Sequence, residues 1–293
     1  MSSGEPVAIR SAVIAWYRAR PHDYPWRSDR PDPYAVLVSE MMLQQTQAAR
    51  VAPAYRAFLS CLPDLRTLSL ATRAEVLRAW AGLGYHRRAL ALREAAAVIV
   101  RDHGGRVPSD LDALRSLPGV GPYSAAAVAS IGFGVPVAAI DTNVRRITAR
   151  VLHGAEPDEV PAARLRADAD LLLDPAAPGA WNQALMDLGR FVCRPAPRCA
   201  ECPVAPACRF AREGRIPHAS GRRQPAFEGS VRQARGRVLA ALRTRGGAPV
   251  AELASLAGLS VERTAHAASA LAADGIVTIA SGDVSIETFV SID

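Results

Sequence analysis

The chain has 293 residues, about half of them apolar, enough for one large domain plus a small one with a substantial core. No apolar run reaches membrane-spanning length, and the opening residues MSSGEPVAIR lack the apolar segment of a secretion signal, so a soluble, intracellular protein is expected. The net charge of +7 favours a polyanionic partner. All 35 basic residues are arginine, so there is no side-chain amine for Schiff-base chemistry.

Apolar residues at helical spacing predict a first helix over PVAIRSAVIAWYRAR. PDPYAVLVSEMMLQQTQAARVAPAYRAFLS predicts two more, the first starting near Pro33, because proline suits the first helical turn. TRAEVLRAWAGL and HRRALALREAAAVIVRDHGG follow, the latter stopped by Gly104 and Gly105. DLDALRSL and YSAAAVASIGF flank a glycine turn, LPGVG. TNVRRITARVL reads as a helix that Asp141 can cap. Strand signals are absent until the tail. From about residue 231 the pattern is three helices and then two short strands, GIVTIA and DVSIETF, the order of a winged helix. The expected class is mainly α.

Three features carry chemistry. The LPGVG turn places Gly119 and Gly121 where the backbone must turn tightly, with N–H groups at the next helix start suited to a phosphate oxygen. Asp141 follows in AIDTNVRR. Four cysteines, Cys193, Cys199, Cys202 and Cys208, fall within sixteen residues, which in an intracellular chain suggests a metal rather than disulfides. The inner Cys-x-x-Cys fits zinc or iron–sulfur, and the single tight cluster is better suited to wrapping one cubane. Charge is uneven. Residues 209–245 hold ten arginines and two acids, whereas residues 246–293 hold one arginine and six acids.

These motifs resemble a known family. LPGVGPYSAAA followed by AIDTNVRR is similar to the helix-hairpin-helix and Asp-bearing loop of the DNA glycosylase superfamily, and the cysteines resemble the [4Fe–4S] loop of its endonuclease III and MutY branches. SEMMLQQTQ, AGLGY, PWR and WNQALMDLG resemble the MutY branch in particular, and the likeness spans roughly residues 8–210.

The resemblance implies two helical lobes around a DNA groove, making a catalytic core of residues 1–215: a six-helix lobe over about 34–137, and a cluster lobe of 1–33 with 138–215. A basic linker, 216–230, would lead to a winged-helix-like domain, 231–293. It implies a monofunctional glycosylase that removes adenine mispaired with 8-oxoguanine or guanine. Glu40 would be the general acid and Asp141 the stabiliser of the cationic sugar. Glu40 lies among the apolar residues Val38, Met41, Met42 and Leu43, which could raise its pKa. Tyr123 stands where endonuclease III carries its lyase lysine. Arg27 and Asp187 would contact the extruded adenine. Gln45 and Thr46 would contact the opposing base with Tyr85 wedged beside it, and Gln44, Gly119, Gly121 and Asn143 would serve the DNA contact. The four cysteines would hold a [4Fe–4S] cluster. The implied partner is double-stranded DNA with A:8-oxoG or A:G mispairs, bound by a cytoplasmic, nucleoid-associated monomer.

Three departures stand out. The first cysteine gap is five residues where the family usually has six; His86 replaces the second tyrosine of GLGYY; and a strand-rich Nudix-like domain is not expected in the tail. Rival readings are a thymine or uracil mismatch glycosylase and a non-catalytic DNA-binding regulator. The acidic tail is expected to pack on the core or bind a protein, while the arginine-rich segment, with Arg222 and Arg223, supports DNA binding.

Overall fold

The computed structural model describes residues 5–20, 24–28, 30–217, 226–280 and 283–285. Arg222, Arg223, much of the basic linker and the end of DVSIETF lie outside the described residues. Fifteen α-helices account for most of the described chain: α1 Glu5–Arg18, α2 Pro33–Leu43, α3 Ala48–Cys61, α4 Leu65–Leu70, α5 Arg73–Ala79, α6 Arg87–Asp102, α7 Leu111–Ser116, α8 Pro122–Phe133, α9 Thr142–Thr148, α10 Ala162–Leu172, α11 Pro178–Phe191, α12 Arg209–Arg212, α13 Val231–Arg245, α14 Val250–Ala257 and α15 Val261–Ala273. Local chemistry sets many of their ends. Pro33 and Pro122 open α2 and α8, where a missing N–H costs nothing. Thr72 and Glu75 form a reciprocal capping box on α5. Ser230 and Ser260 cap α13 and α15.

The described residues fall into two compact units. The first collects those of 1–40, 107–116 and 120–221. Its core is built on α11, where Trp181, Ala184, Leu185 and Leu188 recur at helical spacing and are fully buried. Ile9 and Val13 of α1, Val144 and Ile147 of α9, and Val204 and Phe210 beside the cysteines join the same apolar cluster. The N-terminal helix and the cysteine loop therefore share one core. Helix α9 is shorter than TNVRRITARVL predicts, because the chain passes into a turn of π-helix over Ala149–His153.

The second unit collects residues of 41–106, 117–119 and 222–293. Helices α4 and α5 pack on α6, and α13 packs on α5, α14 and α15. Among the described residues, the tail carries three strands rather than two. β1 Gly247–Pro249, β2 Thr278–Ala280 and β3 Asp283–Ser285 form an antiparallel sheet with β3 in the middle, Ala248 and Ile279 both opposite Val284. The element order is that of a winged helix. Among the described residues, no helix is long and apolar enough to cross a membrane.

Candidate active site and cysteine centre

Glu40 lies on α2, only 4% exposed, and its Oε2 is buried with no hydrogen-bond partner. Burial in apolar surroundings raises its pKa to about 7; the Tyr123 phenol, by hydrogen bonding, and the Arg27 charge pull it down, and Asp141 pushes it up again. Glu40, Tyr123, Arg27 and Asp141 therefore lie near enough to act on one another's charge, all within the first unit. Tyr123, in the first turn of α8, has its pKa raised well above the usual phenol value, by burial first and then by the two carboxylates. Its Oη also lies 3.5 Å from Met186 Sδ.

Asp141 does cap α9. Its Oδ1 accepts from the Val144 N–H at 2.7 Å, and its Oδ2 accepts from Asn143 Nδ2 at 2.8 Å. Burial nonetheless raises its pKa, against those two bonds. Asn143 is held in turn: its Oδ1 accepts from Arg146 Nη2 at 2.8 Å, and Arg146 Nε donates to the Cys193 carbonyl at 2.8 Å. Gly189 makes room for this arrangement, since a Cβ there would stand 2.4 Å from Asn143 Cβ. Arg27 and Asp187, both expected to face a base, pair with each other at 3.0 Å. A second Arg27 nitrogen donates to Tyr17 Oη at 3.1 Å.

The four cysteines line one small, partly open pocket, together with Arg150, Arg198 and apolar side chains. Burial raises the thiols of Cys193, Cys202 and Cys208, Cys202 to about 11, and neighbouring cysteines push each one further up. That mutual effect is expected of sulfurs sharing one space. Among the described residues, no group of three His, Cys, Asp or Glu converges on a single metal ion. A cavity ringed by four thiols suits a multi-atom cluster better than one ion. Arg150 supports the ring: it is buried, pairs with Glu156 at 2.7 Å, donates to the carbonyls of Arg194 and Pro195, and reaches Cys193 Sγ at 3.7 Å. The five-residue gap still leaves Cys193 in the ring. The donor set thus fits an iron–sulfur cluster.

The residues expected to read the opposing base lie in the second unit. Among the described residues there, Gln45 and Tyr85 are the two non-glycines with positive φ, 55° and 47°. Such backbone is uncommon and costly outside functional segments. Arg88, which the sequence did not single out, organises both. Its Nη1 donates to the carbonyls of Met41 at 2.8 Å, Met42 at 3.1 Å and Gln44, and its Nη2 to Thr46 Oγ1 at 3.0 Å. The guanidinium also lies over the rings of Trp80 and Tyr85. It thereby satisfies the orphan carbonyls at the C-terminus of α2. In sequence, Arg88 reads as one more charge on a helix surface. Gly119, with φ +75°, needs to be glycine twice over, since a Cβ would meet Ala91 and Met41 at 2.8 Å. Gly121 does not: it is the N-cap of α8 and a Cβ there would point into open space.

The fold and these residues define a class of DNA-repair proteins. The family model described as HhH-GPD superfamily base excision DNA repair protein matches residues 38–167, and the chain belongs to that family. Its relatives narrow the likeness. The adenine DNA glycosylase of Mycobacterium tuberculosis is 44% identical over 237 residues, 79% of this chain and 77% of the relative. That of Mycolicibacterium smegmatis is 40% identical over 79% of each chain. The human adenine DNA glycosylase is 43% identical over 70% of this chain and 40% of its own length. Among solved structures, a thermostable thymine-DNA glycosylase superposes with a TM-score of 0.67 at 29% identity, covering 72% of this chain and 99% of that one. A non-covalent endonuclease III–DNA complex, at 20% identity and a TM-score of 0.62, shares the fold.

Proposed function

We propose that the chain is an adenine DNA glycosylase acting on double-stranded DNA, with A:8-oxoG and A:G mispairs as its substrates. The observation that carries this reading is the buried Glu40, with its pKa near 7, an unpartnered Oε2, and a second carboxylate, Asp141, near enough to raise that pKa further. A purine leaves only when a ring nitrogen is protonated, so the site needs an acid that still holds its proton near neutrality. Glu40 gives that proton to the extruded adenine, and the electrons of the N-glycosidic bond pass to the base as it departs. The sugar is left cationic beside the Asp141 carboxylate, which stabilises it as carboxylates do in glycoside hydrolysis. Water adds to the sugar carbon, its proton returns to Glu40, and an abasic site remains. Asn143 keeps Asp141 oriented, and Tyr123 stays a neutral phenol that can hydrogen-bond to Glu40 but cannot form an imine. The Arg27–Asp187 pair would present polar edges to the flipped base.

Cys193, Cys199, Cys202 and Cys208 would hold a [4Fe–4S] cluster, which when bound supplies a rigid, redox-active iron–sulfur centre. Gln44, Gln45, Thr46 and Tyr85 would face the opposing base. The relatives named for adenine favour that base over thymine, the substrate in the name of the structural neighbour at 29% identity. Single-turnover excision from A:8-oxoG, A:G and T:G duplexes separates the readings. Release from the adenine substrates alone is expected, and release of thymine from T:G at a matching rate overturns the assignment.

A further inference from the structure

The tail makes a specific contact with the segment that carries Tyr85. His86 and Arg87 lead into α6 immediately after Tyr85. His86 Nε2 lies 2.8 Å from Arg243 Nη2 on α13. A guanidinium has no acceptor, so His86 must accept, as a neutral ring with its proton on Nδ1. Arg243 is half-buried and its Nε is buried without a partner, so it is built into the interior rather than displayed. Arg87 Nη1 lies 3.5 Å from Asp274 Oδ1, and Asp274 Oδ2 accepts from Arg235 Nη2 on α13. Asp274, at the end of α15, thus ties α13 to the start of α6. Arg263, the one arginine on α15, donates to the Gly229 carbonyl at 3.1 Å on the surface of the same unit. Each of these charges has a partner within its own unit.

The four residues Tyr85–Arg88 are therefore gripped from two sides. Arg88 binds the loop bearing Gln45 and Thr46, while His86 and Arg87 bind the tail. Tyr85, 42% exposed and in a left-handed conformation, stands at the head of this segment. Holding a non-glycine residue there needs surrounding contacts that over-determine it. We propose that the C-terminal domain is an internal brace for Tyr85: through Arg243–His86 and Asp274–Arg87 it fixes the side chain that enters DNA beside the opposing base, and so sets mispair discrimination without touching DNA. The inference rests on the reading of Tyr85 as that inserted residue. Arg243 and Asp274 are positioning residues that act through it.

The test uses the full-length chain. Duplex affinity is measured in a Glu40→Gln background, so that no base is released, and single-turnover excision in the Glu40 background at saturating enzyme. Arg243→Met should raise the Kd for an A:8-oxoG duplex about tenfold, leave the Kd for a matched duplex within about twofold, and leave the saturating rate within about twofold. Arg243→Lys should recover most of the loss, because an ammonium can still donate to His86 Nε2. Asp274→Asn, which empties no buried space, gives an independent second variant with an expected rise of about threefold. In a Tyr85→Ala background, Arg243→Met should add nothing. Equal weakening towards matched and mispaired duplexes, or additive losses with Tyr85→Ala, overturns the brace. Tyr85→Ala costing tenfold while Arg243→Met and Asp274→Asn cost nothing overturns it too. Tyr85→Ala without any effect instead sinks the reading of Tyr85 on which it rests.

Discussion

At Glu40, stability and chemistry pull in opposite directions. Its folded pKa, near 7, stands above the ordinary 4.5, so the folded chain holds this proton more tightly than the unfolded one. The stability contributed by the protonated carboxyl is complete below about pH 4.5 and is lost as pH rises through about 7. Above that, the buried anion costs about 3 kcal/mol. Glu40→Gln should accordingly melt with wild type at acidic pH and several degrees above it at pH 8.5. The same substitution should abolish excision while leaving duplex binding largely intact, because the amide keeps the shape but has no acidic proton. Wild-type single-turnover rates should decline above about pH 7 as the acid form is depleted. Near-normal excision by the amide variant, or a rate still climbing at pH 8.5, would remove Glu40 from the role of acid.

The hairpin between α7 and α8 separates its two glycines. Gly119→Ala must adopt φ +75° and push against Ala91 and Met41, so a loss of roughly 2–4 kcal/mol is expected in denaturant melts. Gly121→Ala should stay within about 1 kcal/mol of wild type, since only the cap is altered. The cysteine loop has its own test. Protein purified anaerobically should be yellow-brown with about four irons per chain, and stoichiometric zinc without iron would refute the cluster assignment. Much at this scale was legible in the sequence. Long periodic helices such as α1 and α6, and the stop at Gly104 and Gly105, follow from pattern and caps. The six-residue α4 is too short to show a period, and the π-helical turn at Ala149–His153 accompanies a buried arginine that no local rule anticipates. β1 is Gly-Ala-Pro, residues of low strand propensity, and becomes a strand only because β3 is there to pair with it. Glu40 and Asp141 could be picked out because their motifs are contiguous. Arg88, Arg146 and Arg150 could not, because each works on carbonyls or sulfurs more than forty positions away.

Across the whole chain, the choice of arginine over lysine narrows the chemistry. With no side-chain amine anywhere, an abasic product cannot be captured as a side-chain imine. Product strands should remain uncut until alkali is added, and borohydride should trap no side-chain adduct with DNA. A trapped adduct mapping to any side chain would contradict this. The uneven charge also finds a use. Of the α13 arginines, Arg235 pairs with Asp274, Arg243 binds His86, Arg245 pairs with Glu252 at 3.1 Å and Arg237 reaches the Gly258 carbonyl at 3.4 Å. The basic helix and two of the acidic residues after it, Glu252 and Asp274, are partners within one unit.

The left-handed backbone at Gln45 and Tyr85 also bears on how such a chain can evolve. Glycine at either position would relax the local strain and, on backbone grounds alone, make the protein sturdier by up to about 1–2 kcal/mol. Selection for thermal endurance alone would therefore drift towards glycine or asparagine at 45 and 85, and on the proposed reading of these two residues the survivors would be hardier but poorer at finding damage. In populations screened for both properties, these two codons should resist the drift, and compensating gains should accumulate elsewhere in the chain.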